Sequence, residues 1–263
     1  MLYSRGDATR VQLALYGTGG LAWTALLAAP LKDGPDLTAA MCGSGLAPAS
    51  ATSGLATAAH WPSIGLAWLL MVLAMMTPLL RMPILHIRIS AFRDRRWRSI
   101  ALFLFGYLAV WLAAGVLIKP LEWMVHHVAP GGWVPAVVAA LLAVCWQVSP
   151  LKQRYLNRCH AQRALPAFGR EADLHAWYFG LEHGAACLGS CWALMLFADS
   201  LPQWHISAMA LVALLMVCER MDPPASPSWQ PRGWRTAALR LRQIVRRHAD
   251  GPHQPQPATQ TPV

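Results

Sequence analysis

Long apolar stretches alternate with short basic ones along the chain, and the apolar stretches set the reading. Six of them qualify as spans: about 11–31, 62–82, 100–118, 133–148, 175–198 and 203–218. A helix climbs about 1.5 Å per residue and must cover about 30 Å of hydrocarbon, so each suffices, the fourth barely. The pattern predicts an all-α polytopic membrane protein, a bundle of six transmembrane helices over residues 1–221. The first stretch, after Arg5 and Arg10, suits an uncleaved anchor better than a signal peptide, because Pro30 follows the small residues Ala28 and Ala29.

Between the first two spans, Lys32 to Trp61 is rich in Gly, Ala, Ser, Thr and Pro and reads as an irregular loop. After Met221 comes a Pro-rich break, then residues 233–248, where Trp234, Ala238, Leu241 and Val245 follow a helical period. This predicts a cytoplasmic tail, 222–263, carrying an interfacial helix on the inner leaflet, with the last residues disordered.

Composition supports the membrane reading. The chain is 56% hydrophobic and 13% charged, whereas soluble domains carry about 25% charged residues. Net charge is +10, yet the basic residues are distributed by side. The N-terminus holds 2, residues 81–98 hold 6, 152–170 hold 5 and 220 onward hold 7, which is 20 of 22. Only Lys32 and Lys119 fall on the opposite side. That is the positive-inside pattern for six spans with both termini in the cytoplasm. It predicts an inner (plasma) membrane protein and assigns the arginine runs to topology and anionic lipid, not to nucleic acid.

Candidate chemistry concentrates in the fifth span, GLEHGAACLGSCWALM from Gly180 to Met195. His183, Cys187 and Cys191 step about 40° each time around a helix, with Met195 as the next rung. Imidazole, two thiols and a thioether form a soft-metal ligand set. Ionisable groups inside a span are costly, which makes Glu182 and His183 functional suspects. Gly180 and Gly184 form a GxxxG that lets another helix approach.

Depth extends the site. Met75 and Met76 in span two fall about 4.5–6 Å to the cytoplasmic side of their midpoint, level with His183, and Cys145 in span four lies at a comparable level. Cys187 and Cys191 suit a metal better than a disulfide, since i, i+4 Cβ atoms lie about 5–6 Å apart and a disulfide prefers about 3.8 Å. His126, His127 and Glu122 lie in an outward loop, and Asp199 reads as an outward turn. Phosphate loops, HExxH, GxSxG and carboxylate pairs are absent, so no enzyme is expected.

These residues resemble the bacterial family of predicted metal-binding integral membrane proteins, whose pattern is approximately GxxHGxxCLGCCWxLM followed by a last span ending in Glu-Lys. AMMTP at 74–78, GYLAVW at 106–111 and WQVSPLKQRYLNRCH at 146–160 support it. The resemblance implies His183, Cys187 and Cys191 as metal residues and Cys159 as a second cysteine site. Four positions depart from the pattern: Ser190 and Tyr155 stand for cysteines, His160 for arginine and Arg220 for lysine.

The resulting expectation is a protein that binds a soft transition metal, copper, for handling, transport or delivery to a membrane metalloenzyme or metallochaperone partner. Two alternatives are a proton-coupled transporter using Glu182 and His183, and a non-catalytic structural partner of a membrane complex.

Overall fold

A computed structural model describes residues 5–32, 54–128, 133–166, 168–201 and 204–233, with positions 236, 238, 239, 242, 243 and 245. The helices are α1 (Arg5–Lys32), α2 (Gly54–Met76), α3 (Arg81–Ser90), α4 (Arg96–Val128), α5 (Val134–Val148), α6 (Pro150–His160), α7 (Gly169–Asp199) and α8 (His205–Met221). No strand occurs among the described residues. Four segments are long and apolar enough to cross a membrane: Thr9–Ala28, Gly65–Ser90, Arg96–Pro120 and Gly169–Asp199. The bent pair α5 and α6 makes a fifth if it is one span. The last, α8, has 17 residues.

The centre of the fold is the pairing of α4 with α7. Phe103 meets Gly180 near one end, and Lys119 pairs with Asp199 near the other, so the two helices run parallel. Alternating spans demand this of the third and fifth. Glycine permits it: a Cβ on Gly106 would stand 2.6 Å from the Trp177 carbonyl oxygen, and one on Gly180 would overlap the Phe103 carbonyl. Backbone therefore packs on backbone, as small residues allow in bundles. Against this pair lie α2, through Trp68 Nε1 donating to the Trp111 carbonyl at 2.8 Å, and α5, through Trp146 Nε1 donating to the Gly189 carbonyl at 3.0 Å.

Several expectations change. The second span does not end at Met82. After α2 a 3-10 turn, Thr77–Leu80, accommodates Pro78, and the helical path continues through α3 to Ser90. The stretch expected to be loop up to Trp61 is already helical from Gly54, and residues 33–53 lie outside those described. His126 and His127 continue α4 rather than a loop. The fourth span, expected at 133–148, coincides with α5, and beyond it the chain bends by 64° into α6, where Ser149 caps α6 by accepting from the Lys152 amide at 3.2 Å. Described tail residues from Thr236 to Val245 are helical; Trp234, Leu241 and the C-terminal segment lie outside the described set.

Residues 222–233 pack back on the bundle as a strap. Gln230 N donates to the Val148 carbonyl at 3.2 Å, Asn157 Nδ2 donates to the Ala225 carbonyl at 2.8 Å, and Arg232 reaches the Gln147 carbonyl at 2.9 Å.

Candidate metal centre

The parallel pairing turns one face of α7 toward α2, α4 and α8. Cys187 is 1% exposed and Cys191 1%. Cys187 Sγ stands 3.7 Å from Met76 Sδ, and it accepts from the Tyr107 hydroxyl at 3.3 Å. Cys191 Sγ stands 3.9 Å from Met195 Sδ and 3.1 Å from the Cys187 carbonyl oxygen. Two thiols and two thioethers thus gather away from water, all four in the buried core. Metal–thiolate bonds run at about 2.3 Å, so two sulfurs sharing an ion stand up to ~4.6 Å apart. The Cys187–Met76 pair needs only a small outward shift to reach that.

His183 is buried among the rings of Phe103, Tyr107 and Phe179, at centroid distances of 5.9, 6.1 and 5.9 Å. Its Nε2 has no hydrogen-bond partner, an unsatisfied buried nitrogen that calls for a reason. Among the described residues, no three of His, Cys, Asp and Glu stand close enough to hold one metal ion together. His183 therefore does not join Cys187 and Cys191 in one ready-made sphere; the sulfurs of methionine complete the grouping instead.

The remaining candidates separate. Met75, fully buried, packs into the core with Met71 and Val72; as α2 turns about 100° per residue, only Met76 of the adjacent pair faces Cys187. Cys145 is exposed, so it faces away from the buried sulfurs. The reason is rotation: α5 buries Pro135, Ala136, Ala139 and Ala143, and Cys145 sits about 200° around from Ala143. Glu182 points outward, 60% exposed, and pairs with Arg163. It is not brought to His183. Cys159 is buried and lies against Ser190 and Arg220. Ser190 Oγ donates to the Cys187 carbonyl at 2.7 Å, and Tyr155 lays its ring on Gly189, so both departures from the family pattern serve packing.

Sequence reasoning missed the end of α8. Glu219 and Lys152 form an ion pair at 2.7 Å, their side chains 1% and 0% exposed. Lys152 Nζ also donates to Gln147 Oε1 at 2.6 Å, and Gln147 donates to Glu219. Beside them the Arg220 guanidinium lies against the Cys159 and Cys187 thiols. Burial pulls the Arg232 guanidinium below its ordinary range, and Glu219 acts the other way. Next to this cluster a cavity of about 300 Å³ is lined by Gln153, His160, Glu219, Asp222 and Arg232. Lys119 and Asp199, read as outward-loop residues, are instead a buried pair at the other end of α4 and α7.

An all-helical protein with four or five membrane-length helices and a buried cluster of reduced sulfurs has the build of a soft-metal handler. Residues 65–241 match the family model PpoB2, described as "Copper chaperone", and the chain belongs to that family. No curated protein and no solved structure matches the chain.

Proposed function

We propose that this protein is a membrane-embedded copper chaperone of the bacterial inner membrane, crossing the bilayer six times with both termini in the cytoplasm. Its cargo is held by Cys187 and Cys191 of α7, with Met76 and Met195 as neutral donors. His183 lies one turn toward the cytoplasm as an auxiliary ligand. Cys159 and Met75 stand behind the first set. Residues 222–263 form its cytoplasmic tail, and a membrane metalloenzyme or soluble metallochaperone is the exchange partner. It performs no catalysis.

The observation that carries this reading is the Cys187–Met76 approach at 3.7 Å inside a dry core. Thiolate and thioether together select soft ions such as Cu(I) over oxygen-loving ones. Family membership supports copper as the cargo. The proton-relay alternative loses its geometry, since Glu182 turns outward to Arg163 and His183 turns inward to aromatic rings.

Elemental analysis tests the proposal. The purified full chain, loaded anaerobically with Cu(I), should retain about one equivalent, the stoichiometry expected of the one sulfur cluster found among the described residues. Changing Cys187 and Cys191 together to Ser should abolish retention in a protein that still folds. Equal copper in both samples would sink the reading.

A further inference from the structure

A second cavity, of about 970 Å³, lies between α1 and α4, with the 3-10 turn and α3 as its floor. Its lining divides by height. Arg10, Arg88, Arg93 and Arg96 stand at one end, where α1 and α4 begin and α3 finishes. Below them the walls are apolar, with Leu15, Leu73, Ile84 and Leu104. Thr18 and Leu104, also in the lining, lie about 12 Å deeper along their helices than Arg10 and Arg96, at 1.5 Å per residue. One leaflet contributes about 15 Å of hydrocarbon, so the cavity is about as deep as a leaflet. Among the described residues no Asp or Glu lines it. Arg95 and Arg98, from the same stretch, are instead neutralised by Asp173 at 3.1 and 2.7 Å. The Arg88 guanidinium stands 6.0 Å over the Trp97 ring, and that indole is 74% exposed, as suits a ring at headgroup level.

We infer that this cavity is a binding site for one anionic phospholipid of the inner leaflet, with its phosphate among the arginines and its acyl chains along the apolar walls. The inference rests on the membrane reading of the proposed function and not on the copper site. Cationic rim and apolar shaft together demand an amphiphile. A free anion would leave the shaft empty, and a neutral apolar molecule would leave the arginines without a counter-charge. Guanidinium groups match phosphate oxygens in forked pairs. A zwitterionic headgroup brings its own ammonium to the rim, whereas an anionic one brings net negative charge. The bound lipid fills the space between α1 and α4 and so fastens the first helix to the bundle. A ligand that binds only the folded state stabilises it by mass action.

Native mass spectrometry and thermal unfolding of the full chain in a neutral detergent test this. The probes are phosphatidylglycerol, phosphatidylcholine of the same chain length, and glycerol phosphate as the headgroup alone. The wild type should retain about one phosphatidylglycerol, as one cavity admits, and its unfolding temperature should rise saturably with that lipid. Phosphatidylcholine should bind more weakly, and glycerol phosphate should neither stabilise nor displace the lipid. Changing Arg88→Gln, Arg93→Gln and Arg96→Gln together should lower phosphatidylglycerol affinity by about 100-fold, the scale of three basic contacts at a membrane surface. Arg154→Gln, Arg158→Gln and Arg170→Gln remove the same charge from exposed positions outside the cavity and should leave affinity unchanged. Ala14→Phe, which fills the shaft and spares the arginines, should also expel the lipid.

Equal binding of the two lipids by the wild type overturns the inference, and this comparison decides even where a variant does not fold. Displacement by glycerol phosphate would make the rim a free-anion site and overturn it as well. So would equal losses in the two arginine triples, which would reduce the effect to bulk attraction, or full retention in folded Ala14→Phe. Any of these results leaves the copper site standing. Release of the wild type from membranes by alkaline carbonate without detergent would instead remove the membrane reading, and this inference with it.

Discussion

Lys152 and Glu219 form an ion pair at 2.7 Å from which water is excluded on both sides. It joins the start of α6 to the end of α8, and Gln147 bridges both members. Removing one partner strands the other, which costs about 3–5 kcal/mol for a buried pair, whereas apolar replacement of both can be near neutral. Lys152→Met should therefore lower thermal stability in detergent by that amount, and Lys152→Met with Glu219→Leu should recover most of it. A single mutant as stable as the double would show that the pair does not hold these elements together.

Backbone contact at Gly180 predicts a different failure. A side chain there meets the Phe103 carbonyl, and neither helix backbone can yield locally. Gly180→Leu should cost at least about 1–3 kcal/mol, the usual penalty of overpacking, and copper retention should fall with it because Tyr107 and Cys187 are carried apart. Gly20→Leu is the control, since that site has open space. Equal unfolding temperatures for the two would refute the close approach.

Met76 and Cys145 separate position from chemistry. Met76→Leu conserves volume and should cost less than about 1.5 kcal/mol of stability, yet weaken Cu(I) by about tenfold as one soft donor is lost. Cys145→Ser should leave copper affinity unchanged, because that thiol is exposed. Competition titration against a Cu(I) chelator reads both; a loss at Cys145 equal to that at Met76 would contradict the arrangement.

For His183, stability and function should move in opposite directions. Its Nε2 is buried without a partner, a state that costs about 1–3 kcal/mol. Placing Phe there keeps the ring among Phe103, Tyr107 and Phe179, so His183→Phe should raise the unfolding temperature and lower Cu(I) affinity. A variant that gains stability and keeps full affinity would remove His183 from the ligands.

The legible parts of the fold were those written locally. Apolar length marked α1, α2, α4 and α7, and the side-to-side distribution of arginine implied that α4 and α7 run the same way. The stripe of His183, Cys187 and Cys191 could be read from spacing alone. Rotation could not. Cys145 had the right depth and the wrong face, because only the packing of Ala139 and Ala143 fixes where α5 turns. Nor could pairing across long separations: Lys119 looked like a topology marker and Asp199 like an outward turn, yet the two pair across α4 and α7. Proline alone does not tell a bend from a continued path. Pro78 is absorbed in a 3-10 turn and the path goes on, whereas Ser149–Pro150 marks a sharp bend.

The parallel pairing of α4 with α7 also sets when the site comes into being. Tyr107 and Cys187 meet across 80 residues of chain, and parallel neighbours cannot be joined by a tight turn. A chain emerges from the ribosome N-terminus first, so α5 and α6 must be laid down before α7 reaches α4. Arg220 and the strap arrive after α7. A half-made chain thus has thiols still in the ribosome or unpaired with Met76, and it offers no trap for copper. On the proposed function, the capacity to hold copper appears only once α7 has packed against α4 and α2.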